Sequence, residues 1–180
     1  WTGDTKNGQR SALALFYLAR NEARASKAEK SRQLFSEFLA QYPSHFLADE
    51  ARAELSASQI VAGRAHEALQ TAQAGRGFRN SFVRGQAQAA LGAYKEAAAA
   101  FLQASGASEL EIAALENSAV CALLAGIPDA QNEAMRRLAK RSDFAPIVER
   151  IRFFEGMRRA AKRSPRAPDL LRKIADSESA

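Results

Sequence analysis

The 180-residue sequence holds one cysteine, Cys121, and two histidines, His45 and His66. A single thiol excludes an internal disulfide and any multi-thiolate metal cage. Neither histidine has a second ligand type at metal-binding spacing on its own helix face, so no metal site is expected. His45 reads as a residue at a helix start and His66 as solvent-facing. Proline (5) and glycine (10) are sparse and β-branched residues few, which disfavours sheet and leaves helix as the local preference. No apolar run approaches the roughly 20 residues of a membrane-spanning helix, and no charged-then-apolar leader opens the chain, so the chain as given is expected to be soluble. It starts at Trp1 rather than Met, which predicts a cropped or processed product whose upstream part would carry any signal or anchor.

The inventory for catalysis is equally poor. Gly75, Arg76 and Gly77 lack the spacing and the Lys-Ser/Thr ending of a phosphate loop, and read as a turn between helical units. No serine sits in a glycine-flanked elbow. The sequence therefore predicts no enzyme, no catalytic residue and no cofactor. Cys121, set among Ala119, Val120, Ala122 and Leu123, reads as a small buried side chain rather than a reactive thiol.

What the chain does have is alanine, apolar residues and unevenly placed charge. With 47% hydrophobic residues it can bury a core, and its length favours one domain. The net charge of +6 is concentrated at one end. Arg136 to Lys173 carry 13 Lys and Arg against 4 acids, whereas the remainder has 13 against 16.

Apolar residues recur at helical spacing with short breaks. The pattern predicts helices at Ser11–Arg24 and Lys27–Gln41, then 45–61 and 64–74, then Asn80–Leu91 and Tyr94–Ala104. A fourth pair starts at Ser108, breaks at Gly126 and resumes at Pro128, a residue suited to a first helical turn. Ser26 with Glu29, and Ser108 with Glu111, have the spacing of capping boxes. Two further helices are read at Phe144–Arg163, with Pro146 in its first turn, and at Pro168–Ser177. Gly63, Gly92 and Gly126 recur at the interval of stacked helical hairpins, with Ser26 in the equivalent place of the first unit.

From Ala90 through Leu91, Gly92, Ala93, Tyr94, Lys95, Glu96 and Ala97 to Phe101 and Ala104, the chain resembles the second half of a tetratricopeptide repeat (TPR). Gly92, Tyr94, Ala97, Phe101 and Ala104 supply the turn glycine, aromatic, small, aromatic and small positions. Gly63, Ala65, Ala68 and Ala72 are similar. Ser31, Phe35 and Phe38 take the packing slots of the first unit, ahead of Tyr42 and Pro43. The large aromatic that usually stands near the start of a unit is replaced by Leu15, Arg52, Ser81 and Leu115. The phrase Leu34, Phe35, Phe38, Leu39, Tyr42, Pro43, followed by Ala48, Ala51 and Leu55, also resembles repeats of bacterial periplasmic and outer-membrane-associated TPR proteins.

The resemblance implies an all-α fold, a right-handed α-solenoid of about four hairpins closed by C-terminal capping helices. Residues 1–10 are assigned to an N-terminal extension and 11–141 to the repeats, divided at 12–44, 45–77, 78–107 and 108–141. Residues 142–180 form the basic capping segment, with Arg150, Phe153, Phe154, Met157, Arg158, Arg159, Lys162 and Arg163 on an amphipathic helix. Ala97 and Gly85 are expected to let helices approach closely, with Phe101 filling the space between hairpins.

By the same resemblance, a partner protein or peptide is expected in the concave groove. The groove-facing positions are Phe16, Tyr17, Arg20 and Arg24 in unit one, and Glu50 and Glu54 in unit two. Unit three supplies Arg79, Phe82 and Gln86, and unit four Glu116 and Asn117. The aromatic members would anchor the partner. The alternatives are a self-associating homodimer, or binding of an anionic membrane or nucleic acid through the basic end. Nucleic acid is disfavoured because neither stacking aromatics nor a groove-reading element is apparent. The expected location is the bacterial periplasm or cell envelope, with the cytoplasm as the alternative.

Overall fold

The structure is a computed structural model, and it describes residues 3–140 and 145–163. Among these residues it contains nine helices and no strand. They are α1 (Gly3–Arg24), α2 (Ala28–Gln41), α3 (Ala48–Val61), α4 (Ala65–Gln73), α5 (Gly77–Ala90), α6 (Tyr94–Ala104), α7 (Glu111–Ala125), α8 (Pro128–Ala139) and α9 (Ala145–Arg163). Each helix packs on the next, α3 also packs on α5, and α9 packs on both α7 and α8. This is the neighbour-only stacking of an α-solenoid, the fold class expected from the sequence.

Several boundaries differ from the sequence reading. α1 begins at Gly3 instead of Ser11, so the backbone of 3–10 continues the first helix. Neither capping box forms. Ser26 has φ +59, in the left-handed region, so the chain turns there and Lys27 takes the N-cap without a side-chain hydrogen bond. Glu29 is instead bound by Arg32 one turn on. The N-cap of α7 is Leu110, which leaves Ser108 upstream in the turn and Glu111 as the first helical residue. Asn80 lies inside α5, not at its start. The equivalence of Ser26 with the turn glycines does hold: Gly63, Gly92 and Gly126 have φ of +74, +76 and +74. Ser26 thus adopts a conformation that costs an L-residue about 1 kcal/mol or more.

Pro128 occupies the first turn of α8 as expected, and Pro146 is the second residue of α9. His45 sits in the turn before α3, where its carbonyl accepts from the Ala48 amide (2.8 Å) and its Nδ1 from the Leu47 amide (3.2 Å). His66 is exposed.

Phenylalanines build the first hairpin's core. The Phe16 ring meets those of Phe35 and Phe38 edge-on at 5.7 and 5.6 Å, over Ala12, Ala19, Ala48, Ala51 and Leu55. Ser31 is buried there and donates to the Ala19 carbonyl at 2.9 Å, so this small residue both permits the α1–α2 contact and satisfies a carbonyl. Between the second and third hairpins the buried apolar set shrinks to Ala53, Ala72 and Val83.

Phe101 anchors the next cluster, with Ala97, Ala98, Cys121 and Ala122. A methyl group added at Gly85 would fall 2.9 Å from three carbons of the Phe101 ring, so the ring occupies the space a side chain at 85 would take. Phe82 meets the same ring edge-on at 5.3 Å. Cys121 is buried, and burial pushes its thiol pKa up, which suits an inert core residue. Ser118, also buried, donates to the Ala98 carbonyl at 2.9 Å across the α6–α7 seam.

At the far end Val148 and Ile151 of α9 pack on Leu115, Ala119, Ala134 and Leu138. The expected capping stripe is thereby corrected. Phe153 and Phe154 are 57% and 51% exposed, because they lie on the side of α9 turned away from α7 and α8. Glu155, on the inner side, accepts from Gln131 (3.0 Å), and Arg158 donates to the Leu124 carbonyl (2.9 Å). The side chains of Arg150, Met157, Arg159, Lys162 and Arg163, and the helix read at Pro168–Ser177, lie outside the described residues.

We predict that Phe101→Ala lowers stability by about 3 to 5 kcal/mol, the usual loss for a core phenylalanine. Gly85→Ala should cost about 1 to 3 kcal/mol by overpacking against the same ring. Urea titrations followed by circular dichroism check both. Unchanged midpoints would mean that this ring does not hold the seam.

Candidate functional site

Along α3, α5 and α7, residues three or four apart share one helix face. On α3 the stripe that continues from Glu50 and Glu54 reaches Ala57 and Val61. On α5 it runs from Arg79 through Phe82 and Gln86 to Ala90, and on α7 from Ala113 through Asn117 and Val120 to Leu124. Val61 is 89% exposed and Leu124 43% exposed, and Val120 is also exposed. These three apolar residues were missed in the sequence reading. Their signal was the continuation of each stripe by one or two further turns.

The stripes of α3 and α5 enclose a cavity of about 230 Å³, lined by Ala53, Glu54, Ala57, Arg79, Phe82, Val83, Gln86 and Leu110. Four of the sequence-predicted residues, Glu54, Arg79, Phe82 and Gln86, therefore meet at one place. Its floor is small and apolar because Ala53 and Ala57 keep α3 close to α5. Phe82 forms one wall, half-buried and held edge-on by Phe101.

Charge at this site is shared between hairpins. Arg79 of α5 bonds to Glu50 of α3 and lies 3.8 Å from Glu54. The hydrogen bond that Arg79 donates to Glu50 holds the Arg79 pKa above its ordinary value against the opposing effect of partial burial, and Glu54 and Glu109 add to the same field. The expected alternation of basic and acidic units thus resolves into an internal clasp.

Asn80 fixes the register of this clasp. It is fully buried, and its amide donates to the Asp49 carbonyl (2.8 Å) and the Arg76 carbonyl (2.9 Å). A methyl group at Gly75 would lie 2.3 Å from Asn80 Oδ1, so the absence of a side chain at 75 makes room for it. Asp49 also accepts from the Arg76 amide (3.1 Å) and from Arg52 (2.9 Å).

The other predicted residues are placed differently. Phe16 does not face a groove. It is 1% exposed and belongs to the first hairpin's core, since its ring fills the space between α1 and α2. Tyr17 is 52% exposed and leans edge-on against Phe16. The Arg20 guanidinium stands 5.9 Å over the Phe16 ring, and Arg24 is exposed in the last turn of α1. Glu116 and Asn117 are half-buried on α7.

No family model matches the sequence, and no curated protein matches it. Solved structures do match in shape. A tetratricopeptide repeat protein from Parabacteroides merdae superposes with a TM-score of 0.66 at 13% identity, over 83% of this chain. The chain spans 64% of that protein's length. Two structures of nearly identical TPR-like repeats from Podosopora anserina, assigned to a kinesin light chain, give TM-scores of 0.60 and 0.57. Their identities are 16% and 17%, over 93% of this chain and 96% and 94% of theirs. The fold is therefore that of a TPR solenoid.

Asn80→Ala should cost about 1 to 3 kcal/mol, because it leaves the Asp49 and Arg76 carbonyls without their buried donor. A thermal melt checks this. A midpoint equal to that of the unaltered chain would show that the clasp is set elsewhere.

Proposed function

We propose that the chain is a protein-interaction module that holds a peptide or partner segment along the α3–α5–α7 face. The observation that supports this most directly is the open α3–α5 cavity, where Phe82, Gln86 and two small residues of α3 stand beside charged groups. The fold agrees, since stacked hairpins present a continuous face built from the first helix of each pair. The cavity volume falls below the roughly 300 Å³ at the low end of small-molecule sites, which suits one or two inserted side chains better than a cofactor. The partner would bury Phe82 and the exposed Val61, Val120 and Leu124, while flanking charges orient it. The resemblance of the Leu34–Pro43 phrase to envelope repeats supports placement of this module in a bacterial envelope complex.

Peptides selected from a random display library on this chain provide the test. On titration, amide signals of Gln86, Val120 and Leu124 should shift while those of the opposite-side residues His66 and Lys95 stay still. Shifts confined to His66 and Lys95 would contradict the reading.

A second reading is favoured by the paired, exposed rings of Phe153 and Phe154, 6.1 Å apart at the end of the stack. In it the chain self-associates through α9. Light scattering across a concentration series should then show a doubled mass that Phe153→Ser with Phe154→Ser abolishes. A monomer at every concentration would dismiss it.

A further inference from the structure

The balance of charge around the cavity narrows the chemistry of its occupant. Arg79 is the cation lining the cavity, and it is the shared partner of Glu50 and Glu54, with the field of Glu109 reaching it as well. Two carboxylates paired with one guanidinium, and a third near enough to act on it, leave this part of the face with an excess of negative charge. Arg79 is also the most exposed member of the clasp, at 53% for its side chain against 27% for Glu50 and 31% for Glu54. The carboxylates are held by the body of α3, while the guanidinium lies outermost and can be exchanged for another cation.

Resting on the groove reading above, we infer that the α3–α5 cavity takes a peptide with an apolar side chain flanked by lysine or arginine. The apolar side chain enters between Ala53, Ala57, Phe82 and Val83. The flanking cation takes over Glu50 and Glu54 from Arg79, which swings away from the acidic pair. Charge complementarity of this kind sets orientation and partner choice more than raw affinity. Arg79 is then an internal competitor for the site, occupying it in the absence of a partner and raising the threshold for weakly basic segments.

The test uses peptides enriched from a random display library on the full chain, with affinities measured by fluorescence anisotropy. Enriched sequences should share an apolar residue with lysine or arginine nearby, and their binding should weaken as sodium chloride rises. Glu50→Gln with Glu54→Gln should weaken binding about threefold to tenfold, from exposed pairs contributing up to a factor of about five each. Arg79→Gln should act in the opposite direction and strengthen binding about threefold, because the acids are released from their internal partner. Circular dichroism melts confirm that the variants fold, and the salt titration on the unaltered chain tests the charge claim without any substitution. Enrichment of acidic or uncharged sequences, salt-independent binding, or weaker binding to Arg79→Gln would each overturn the inference, while leaving the groove reading intact if Gln86 and Val120 still shift. An absence of any enrichment would overturn it as well. Basic peptides that shift only His66 and Lys95 would instead remove the groove reading itself.

Discussion

The Phe101 ring lies where residue 85 carries no side chain, so α5 and α6 close on each other around that contact, and the same ring packs with Cys121 and Ala122 of α7. Helices can approach this closely only where side chains are short, and the chain meets the requirement repeatedly, with Ala97, Ala98 and Ala122 beside the same ring and Ala68 and Ala72 fully buried in α4. Short residues alone would leave little apolar area to remove from water. At this contact the Phe101 ring supplies it, at roughly 25 cal/mol per Å². The first hairpin inverts the proportions, with the Phe16 ring meeting those of Phe35 and Phe38 edge-on.

From that constraint the proposed binding face follows. The second helices turn residues such as His66 and Lys95 to solvent on one side of the stack, and the first helices α3, α5 and α7 each keep one stripe turned outward on the other. Small residues on α3 bring α5 near enough for Arg79 to reach two carboxylates, and Asn80 locks the approach through the Asp49 carbonyl of α3. The cavity is a by-product of two alanines facing a phenylalanine. Its electrostatic character comes from the acids, the less exposed side of the clasp.

Much of this was legible beforehand. The hairpin count, the turn positions and the packing slots Ser31, Phe35, Phe38, Ala97 and Phe101 could be read because period, turn glycines and small residues agree with each other. The candidate site was legible only in its middle, where Glu54, Arg79, Phe82 and Gln86 converge. Phe16 misled, since an aromatic at a groove-like position is indistinguishable from a core one until the partner helix is placed. Its burial depends on Phe35 and Phe38 lying on the next helix. The capping boxes failed for a related reason: spacing alone could not tell that Ser26 spends its backbone on a left-handed turn, or that Glu29 finds Arg32 nearer than a helix terminus. Exposed Val61, Val120 and Leu124 were passed over because single apolar surface residues are ordinary, and only their places on the stripes of α3 and α7 give them meaning.

The thin apolar cluster of Ala53, Ala72 and Val83 has a mechanical side. The second and third hairpins meet there through polar groups as well: Arg79 pairs with Glu50 and Glu54, the Arg76 amide donates to Asp49, and Asn80 donates to the Asp49 carbonyl. Directional bonds fix a register that small apolar side chains leave open, so the spacing between α3 and α5, and with it the width of the cavity, is set by polar groups at this joint.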